Sequence, residues 1–321
     1  MKYFYYGIRT LSFGPLLELH RMQSSSLKPP PAAWSGMVIG GLGAIAFSGK
    51  AIIVKLAYRH GVDAVTVIMY RMLFALPLFL VLSWWSGRGK PPLTWRDWRT
   101  LLGLGFCGYY LASFLDFAGL QYIGANLERL ILYLNPTVVL AVGLVLFKTK
   151  VTRRQWIALG LSYVGVLVAF GHDIRMGGNH IALGASLVFC SAISYALYLV
   201  FSGEAVKRLG ALRLTGLATS VACVLCIAQF VLLRPMSAMA VAPQVLWLSL
   251  LNATLCTFCP VLLVMIAIER VGAGVAAQTG MIGPLSTIVL SVFLLGEPVT
   301  VWMAGGTLLV LAGIWMLARW K

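Results

Sequence analysis

Residues 124–139 read GANLERLILYLNPTVV, which sets Glu128 beside Arg129 and an Asn135-Pro136 pair inside a run of Leu, Ile and Val. In a soluble protein this stretch would be an ordinary surface helix with its charged groups in water. Its meaning therefore depends on what kind of chain surrounds it.

The composition indicates a membrane protein. Hydrophobic residues make up 60% of the 321 residues and charged residues only 11%, whereas a soluble chain carries about a quarter charged residues. The charges cluster between long apolar runs, each close to the roughly 20 residues that a helix needs to cross a bilayer. Helices are predicted because unpaired backbone groups are costly in lipid and the runs lack the alternation of barrel strands.

The predicted fold class is an all-α integral membrane protein with ten transmembrane helices. Their approximate ranges are 36–57, 64–84, 99–119, 123–146, 153–170, 181–202, 212–233, 246–267, 273–295 and 300–318.

The basic residues predict the orientation of these helices. With the N-terminus in the cytoplasm, eighteen of the 25 Lys and Arg residues fall in cytoplasmic tails and loops, three in external loops and four inside helices. This excess is what the positive-inside rule requires, with both termini cytoplasmic. The net charge of +16 therefore reflects topology, and no nucleic-acid partner is predicted because no aromatic-basic motif accompanies it.

Residues 1–34 are predicted to form a cytoplasmic tail. Their apolar stretch is interrupted by Arg9, Pro15, Glu18 and Arg21, so it is neither a spanning helix nor a signal peptide. The sequence SSSLKPPP at residues 24–31 is typical of a disordered lead-in. Met22 is an alternative start, in which case residues 1–21 would not be translated.

The cysteines and histidines predict no metal site and no cofactor. The pairs Cys223/Cys226 and Cys256/Cys259 have the C-x-x-C spacing of zinc ligands. Both pairs lie within apolar helices without a loop scaffold, so we interpret them as small packing residues. The four histidines lie in the tail or in loops.

An internal repeat organises the chain. A shift of 148 residues places residues 119–165 on 267–313 without a gap. The matched positions are Gly124-Ala125 with Gly272-Ala273, Pro136 with Pro284, Leu146 with Leu294, Val151-Thr152 with Val299-Thr300, and Gly165 with Gly313. Each half holds five helices, and because five is odd the second copy enters the membrane from the opposite side. The predicted parts are a first repeat at 35–170, an external linker at 171–180 and a second repeat at 181–321.

Two inverted five-helix repeats are the arrangement of many secondary transporters, which bind substrate near the midplane at the repeat interface. Gly/Pro interruptions at matching positions indicate such a site, and here they are Asn135-Pro136 and Gly283-Pro284. Each proline removes an amide donor, so a helix kink is predicted at Pro136 and at Pro284. A packing kink without ligand contact stays open as the alternative.

The chain resembles the EamA-like family of the drug/metabolite transporter superfamily. The resemblance covers nearly all of residues 35–319 and is most specific in Gly272-Ala273, Pro284, Gly296-Glu297 and Val299-Thr300. The first repeat departs from the pattern, with Lys148-Thr149 where a Gly-Glu pair is usual. The resemblance implies export or exchange of small metabolites, often amino acids, across the bacterial cytoplasmic membrane, energised by ion or substrate gradients.

Five ionisable residues are predicted to lie at one depth in the outer half of the first repeat: Lys50, Arg71, Asp116, Glu128 and Arg129. A charge at the centre of a membrane helix costs about 2.5–3.5 kcal/mol, so such residues are functional-site hypotheses. One alternative is internal neutralisation, in which acids pair with Arg71 or Arg129 while Lys50 snorkels outward. The other is a surplus cation that binds a substrate carboxylate, with Glu128 and Arg129 controlling substrate or proton passage.

Uncharged polar and aromatic residues could complete a pocket, although anchoring and helix–helix hydrogen bonding are their commoner roles. The candidates are Asn135, Tyr109, Tyr110, Ser113, Ser194, Tyr195, Tyr198, Asn252 and Gln278.

The leading hypothesis is a secondary active transporter of the bacterial inner membrane, most simply an exporter of amino acids or related carboxylate-bearing compounds, working by alternating access. Its predicted partners are a small-molecule substrate, the lipid bilayer and protons as coupling ion, with a homodimer left open. The alternatives are an integral membrane enzyme acting on lipid-linked substrates, for which no catalytic cluster is found, and a non-transporting scaffold.

Overall fold

The structure is a computed structural model, and it describes residues 31–147, 152–177, 179–264, 266–267, 270 and 282–319. Throughout these ranges the regular structure is helical, without a strand. Gln278, most of the predicted tail and the Lys148-Thr149 pair lie outside the described residues.

The first half of the chain forms α1 (Pro31–Tyr58), α2 (Ala64–Gly87), α3 (Trp95–Gly105), α4 (Ala112–Leu120), α5 (Ala125–Leu132), α6 (Asn135–Phe147) and α7 (Arg153–Gly177). The second half forms α8 (Asn179–Leu209), α9 (Ala211–Leu233), α10 (Pro243–Ala253), α11 (Ile282–Leu290) and α12 (Val301–Arg319). A π-helical turn at Phe106–Leu111 joins α3 to α4, and two others follow α10 at Thr254–Phe258 and α11 at Ser291–Leu295. A 3-10 turn lies at Met236–Met239.

Six of the described helical segments are long and apolar enough to cross a bilayer: Trp34–Tyr58, Ala64–Gly87, Trp95–Leu120, His180–Ser202, Ala211–Leu233 and Pro243–Val264. Shorter apolar helices lie at Trp156–Ala169, Ser286–Leu295 and Val301–Gly313. Large apolar side chains such as Leu232, Trp247 and Phe293 point outward. Because water would penalise such a surface and hydrocarbon would not, it fits a lipid environment.

The predicted linker 171–180 is largely helical. Helix α7 continues to Gly177 and α8 begins at Asn179. The sequence predicted a loop here because the apolar run of the preceding helix stops. The helix itself continues, since a helix that leaves the hydrocarbon region can be extended by polar residues.

Polar contacts fix the two ends of the bundle. Asp63 caps α2 by accepting from the backbone of Thr66, and its carboxylate also pairs with Arg234 at 2.5 Å. Burial alone would raise the pKa of Asp63, but the hydrogen bonds from Thr66 and Arg234 outweigh burial and hold the pKa below its ordinary value. At the other end, Asp97 of the α3 capping box pairs with Arg208 at 2.6 Å. Each pair joins the two halves of the chain.

Helix contacts follow the 148-residue shift found in the sequence. Gly165 of α7 lies against α12, where an added Cβ would be 2.6 Å from the carbonyl oxygen of Gly306. Exchanging the repeats turns this pair into Gly313 and Ala158, and a Cβ on Gly313 would be 2.7 Å from the Ala158 carbonyl oxygen. The π-helical turns that begin at residues 106 and 254 are also 148 residues apart. The same shift therefore relates both the sequence and the packing.

Adding a methyl group at this helix crossing should destabilise the protein. We expect Gly165→Ala to cost about 1–3 kcal/mol, because the new Cβ overlaps the backbone of α12 and a packed interior cannot absorb the volume. The matched control is Gly160→Ala on the same helix, where a Cβ meets no heavy atom within 4 Å. The control should be neutral or stabilising by up to about 1 kcal/mol, since Ala favours helix more than Gly does. Thermal unfolding in detergent measures both, and equal Tm values would contradict the close crossing.

Candidate functional site

The five predicted ionisable residues lie together in the interior, and we call them the charged layer: Lys50 on α1, Arg71 on α2, Asp116 on α4, and Glu128 and Arg129 on α5. All five are buried, and Glu128 is 0% exposed. Each lies on a helical segment whose apolar residues pack inward, and this packing also places the charged side chains in the interior.

Lys50 lies at the centre of the layer between two acids. Its ammonium group is 2.5 Å from the Asp116 carboxylate and 3.6 Å from Glu128 Oε1. Glu128 Oε2 is in turn 3.9 Å from Nε of Arg129. Of the internal-neutralisation alternative, the approach of Glu128 to Arg129 agrees with the structure. The outward snorkelling of Lys50 is wrong, because the Asp116 carboxylate within the bundle stabilises its ammonium group.

Arg71 is the cation that the acids leave without a partner. Among the described residues, no carboxylate lies within 4 Å of its guanidinium group, and its Nη1 has no hydrogen-bond partner. Its Nε donates to the hydroxyl of Thr257 at 2.9 Å, while that hydroxyl donates to the carbonyl oxygen of Asn252 at 2.8 Å. The ring of Phe117 lies 5.0 Å below the guanidinium carbon. Arg71 is thus held by neutral groups, and the layer carries one surplus positive charge.

Other polar atoms of the layer make no hydrogen bond to the described residues, although some lie in longer charge contacts. They are Oδ1 of Asp116, both carboxylate oxygens of Glu128, Nε of Arg129 and Oδ1 of Asn252. Buried polar groups normally have a hydrogen-bond partner, and exceptions often mark functional sites. Asn252 belongs here because its Nδ2 donates to the Lys50 carbonyl oxygen at 3.5 Å. The layer thus contains both donors and acceptors without a hydrogen-bond partner among the described residues.

Phe47, which the sequence analysis did not single out, contacts two of the cations. Its ring centre is 5.3 Å from the Lys50 ammonium group and 5.4 Å from the Arg129 guanidinium carbon. Arg129 also donates to the Phe47 carbonyl oxygen at 3.2 Å. Ring faces attract cations within about 6 Å, so Phe47 stabilises this side of the layer. Its place one helical turn before Lys50 was the available signal.

The helix that carries Glu128 is interrupted rather than kinked. Helix α5 ends at Leu132, Tyr133 and Leu134 form a turn, and α6 restarts at Asn135 with Pro136 in its first turn. A proline fits the first turn of a helix, where its missing amide would have no intrahelical partner. The Oδ1 of Asn135 is buried without a hydrogen-bond partner among the described residues.

The two predicted interruptions meet across the repeats. The hydroxyl of Tyr133 lies against the Cα of Gly283 so closely that a Cβ there would overlap it. Ser48 donates to the Gly283 carbonyl oxygen at 2.9 Å, which ties α1 to the residue before Pro284. Gln278 lies outside the described residues, so its predicted place in the pocket stays a prediction.

Glu297 caps the helix that carries two of the charges. Its Oε1 accepts from the amide of Ala125 at 3.0 Å, and its Oε2 accepts from the amide of Asn126 at 3.4 Å. These amides begin α5 and have no partner within their own helix. Gly124 at the N-cap has no side chain, and a Cβ there would lie 3.0 Å from the Glu297 carboxylate. The acid that the resemblance singled out therefore positions α5.

Tyr195 packs outside the charged layer. Its ring stacks with that of Tyr198 at 5.6 Å, and Tyr198 meets the ring of Tyr109 at 5.1 Å. The hydroxyls of Tyr109 and Tyr198 are 3.3 Å apart. We call these three residues the tyrosine cluster.

The cysteines provide no metal site in the part of the chain that the structure describes. All six are free thiols, and no group of three or more His, Cys, Asp or Glu side chains among the described residues could hold a metal ion. Cys223 and Cys226 pack in the apolar core with Ile52 and Met72, as small hydrophobic residues do.

Comparison with known proteins gives the class of the molecule. The profile of the EamA-like transporter family matches residues 34–171 and again 182–319. YcbK of Bacillus subtilis, described as an uncharacterized transporter, is 29% identical over 301 residues, which is 88% of this chain and 93% of YcbK. A protein of Salmonella typhimurium described as a probable amino-acid metabolite efflux pump is 24% identical over 159 residues, covering 49% of this chain and 50% of that protein.

A solved crystal structure has the same fold, with a TM-score of 0.58 at 16% sequence identity, covering 89% of this chain and 98% of the other. The apolar helices and the family together show a multi-pass membrane protein that handles small molecules and is not an enzyme. Because the two profile matches span most of its residues, the chain belongs to the EamA-like transporter family.

Proposed function

We propose that the protein is a secondary active exporter of amino acids or related carboxylate-bearing metabolites. The observation that carries this proposal is Arg71, a buried cation held by Thr257 and Phe117, with no acid partner among the described residues. A substrate carboxylate would neutralise Arg71 and occupy its Nη1, since guanidinium groups bind carboxylates through paired hydrogen bonds.

The same layer supports a zwitterionic substrate. The oxygens of Asp116, Glu128 and Asn252 that accept no hydrogen bond from the described residues are acceptors suited to an ammonium group. An α-amino acid carries both charges next to each other, and the efflux-pump name of the Salmonella typhimurium relative agrees with this substrate class.

We also propose that transport proceeds by alternating access between two inverted repeats, residues 35–170 and 181–321, joined by the linker 171–180 and preceded by the tail 1–34. The family profile matches nearly the same two ranges. The exchange of the Gly165–Gly306 contact for the Gly313–Ala158 contact under a shift of 148 residues supports a symmetric pairing of the repeats. In this proposal ten helices span the bacterial inner membrane, and a homodimer stays a prediction.

Reporter fusions test the predicted topology. Fusions at Lys90, Lys150 and Lys321 should all read cytoplasmic, because the Lys and Arg excess lies on that side. A fusion at Arg234 serves as the control and should read external. An external reading at Lys321 would contradict the ten-helix arrangement.

We propose Glu128 as the proton-coupling group. It is fully buried, and the charged groups that face it are Lys50 on α1, Asp116 on α4 and Arg129 on its own helix. Rocking of α1 against α5 would change the 3.6 Å separation from Lys50 and with it the proton affinity of the carboxyl group. Such a change is what couples proton movement to a conformational cycle.

Proteoliposomes test both the transport and its coupling. Wild-type protein should exchange amino acids, and an imposed proton gradient should drive net flux. Glu128→Gln should retain exchange but lose the stimulation by the gradient, since Gln keeps the shape of Glu and cannot ionise. The control is Asp63→Asn, which removes a carboxylate outside the layer and should leave the stimulation unchanged. Gradient-driven flux in Glu128→Gln equal to that of wild type would contradict the role of Glu128.

A further inference from the structure

The tyrosine cluster is the sequence equivalent of Lys50 and two of its neighbours. A shift of 148 residues takes Phe47 to Tyr195, Lys50 to Tyr198 and Arg71 to Thr219, and the reverse shift takes Thr257 to Tyr109. Both groups are built the same way: α8 packs on the π-helical turn Phe106–Leu111, and α1 packs on the π-helical turn Thr254–Phe258.

The two groups make contacts of a similar kind, although through different residues. Cys256 lies 3.0 Å from a Cβ added at Gly49, beside Lys50. On the other side the ring of Tyr198 lies against Gly108, the equivalent of Cys256, where a Cβ would overlap it. The hydroxyls of Tyr109 and Tyr198 are 3.3 Å apart, whereas Thr257 reaches Lys50 through Asn252, which accepts from Thr257 and donates to the Lys50 carbonyl oxygen.

The chemistry of the two groups differs although their positions correspond. The equivalents of Lys50, Arg71 and Asp116 are Tyr198, Thr219 and Val264, none of which is charged. Thr219 is 1% exposed, and its hydroxyl has no partner among the described residues. Ring faces and hydroxyl groups bind uncharged groups by contact area and single hydrogen bonds. The residues named here include no cation to pair with a second carboxylate.

We propose that the tyrosine cluster binds the uncharged tail of a substrate whose carboxylate is bound by Arg71. This inference rests on the proposed function and adds a substrate class to it: monocarboxylates or amino acids with a hydrocarbon or planar tail, in preference to dicarboxylates. Tyr109 precedes Asp116 by seven residues on one helical run, which is about 10 Å at 1.5 Å per residue. That separation suits an amino acid whose ammonium group meets Asp116 and whose side chain extends toward the cluster.

Competition with a set of amino acids that share one head group tests the assignment. The probes are L-phenylalanine, L-leucine, L-alanine and L-glutamate, each measured as an inhibition constant in exchange by proteoliposomes. Wild-type protein should prefer the first two. Tyr195→Leu removes a ring from the cluster and should raise the inhibition constant of phenylalanine about tenfold. Alanine does not reach the cluster, so its inhibition constant should change less than twofold.

Matched variants separate tail recognition from folding. Tyr195→Phe keeps the ring and should keep the preference for phenylalanine. Tyr198→Leu is a second, independent variant with the same expectation as Tyr195→Leu. The control is Tyr163→Leu on α7, a tyrosine that packs against Phe189 at 6.5 Å outside the cluster, and it should leave the ratio of the phenylalanine and alanine constants unchanged.

The outcomes distinguish this inference from the function on which it rests. A wild-type protein that exchanges none of the four amino acids would overturn both. Exchange with a phenylalanine-to-alanine ratio unaffected by Tyr195→Leu and Tyr198→Leu would overturn the tyrosine assignment and leave the carboxylate site standing. Wild-type preference for L-glutamate over L-leucine would also overturn it.

Discussion

Arg71→Met should weaken binding of a carboxylate substrate about 10- to 100-fold and leave the protein at least as stable as the wild type. A hydrogen bond to a charged group contributes about 1.5–3 kcal/mol, and Arg71 is the cation that no acid among the described residues neutralises. Replacing a buried, unpaired charge by an apolar side chain of similar length removes a desolvation cost, so stability should not fall.

The measurement is the inhibition constant of alanine in exchange, together with thermal unfolding of the same preparation. Arg234→Met is the control, because it removes an exposed guanidinium group at the end of the bundle and should leave alanine binding unchanged. If Arg71→Met bound alanine as wild type does, the carboxylate site would have to lie elsewhere. A loss of stability together with normal binding would make Arg71 a structural residue.

Asp116→Leu should destabilise the protein by about 3–5 kcal/mol, because it leaves the Lys50 ammonium group buried beside apolar surroundings without its closest partner. The double variant Lys50→Met, Asp116→Leu should recover most of this loss, since an apolar pair of similar volume removes both charges together. Thermal unfolding of both variants in detergent measures the difference in their stability.

The exposed pair Asp63–Arg234 provides the comparison for this experiment. Asp63→Asn should cost about 1 kcal/mol or less, because solvent screens an exposed ion pair even when its atoms are 2.5 Å apart. Equal losses of stability for Asp116→Leu and Asp63→Asn would mean that water screens the charges of the layer as it screens an exposed ion pair. A double variant no more stable than Asp116→Leu would contradict the direct coupling of Lys50 to Asp116.

Much of the fold follows from the sequence because a bilayer leaves few choices. Once the apolar runs were identified, helices were required, and the Gly and Pro register of the 148-residue shift indicated the repeat. Counting residues from the helix ends predicted a common depth for Lys50, Arg71, Asp116, Glu128 and Arg129. In the structure all five are buried, and close charge contacts join four of them. Depth along a helix depends only on the number of residues from the helix end, so it can be read from the sequence.

The pairing of those charges could not be predicted in the same way. Which acid Lys50 contacts depends on how far α1 and α4 are rotated about their axes, and apolar runs with little amphipathic character do not specify rotation. Thr257 was overlooked for a related reason: it lies inside a C-x-x-C spacing that drew attention to the cysteines. Its π-helical turn also displaces the side chains that follow, which regular helix spacing cannot anticipate.

The two repeats of the chain are no longer equivalent, because the carboxylate at the start of α5 comes from Glu297 of the second repeat. A polypeptide made of two copies of residues 35–170 would contain the charged layer twice, but the residue equivalent to Glu297 would be Thr149, and neither copy of α5 would have an acid to begin it. Two copies of residues 181–321 would keep the acid and lose the charges. Neither half can replace the other, so the site requires one copy of each half and cannot be built from two copies of either.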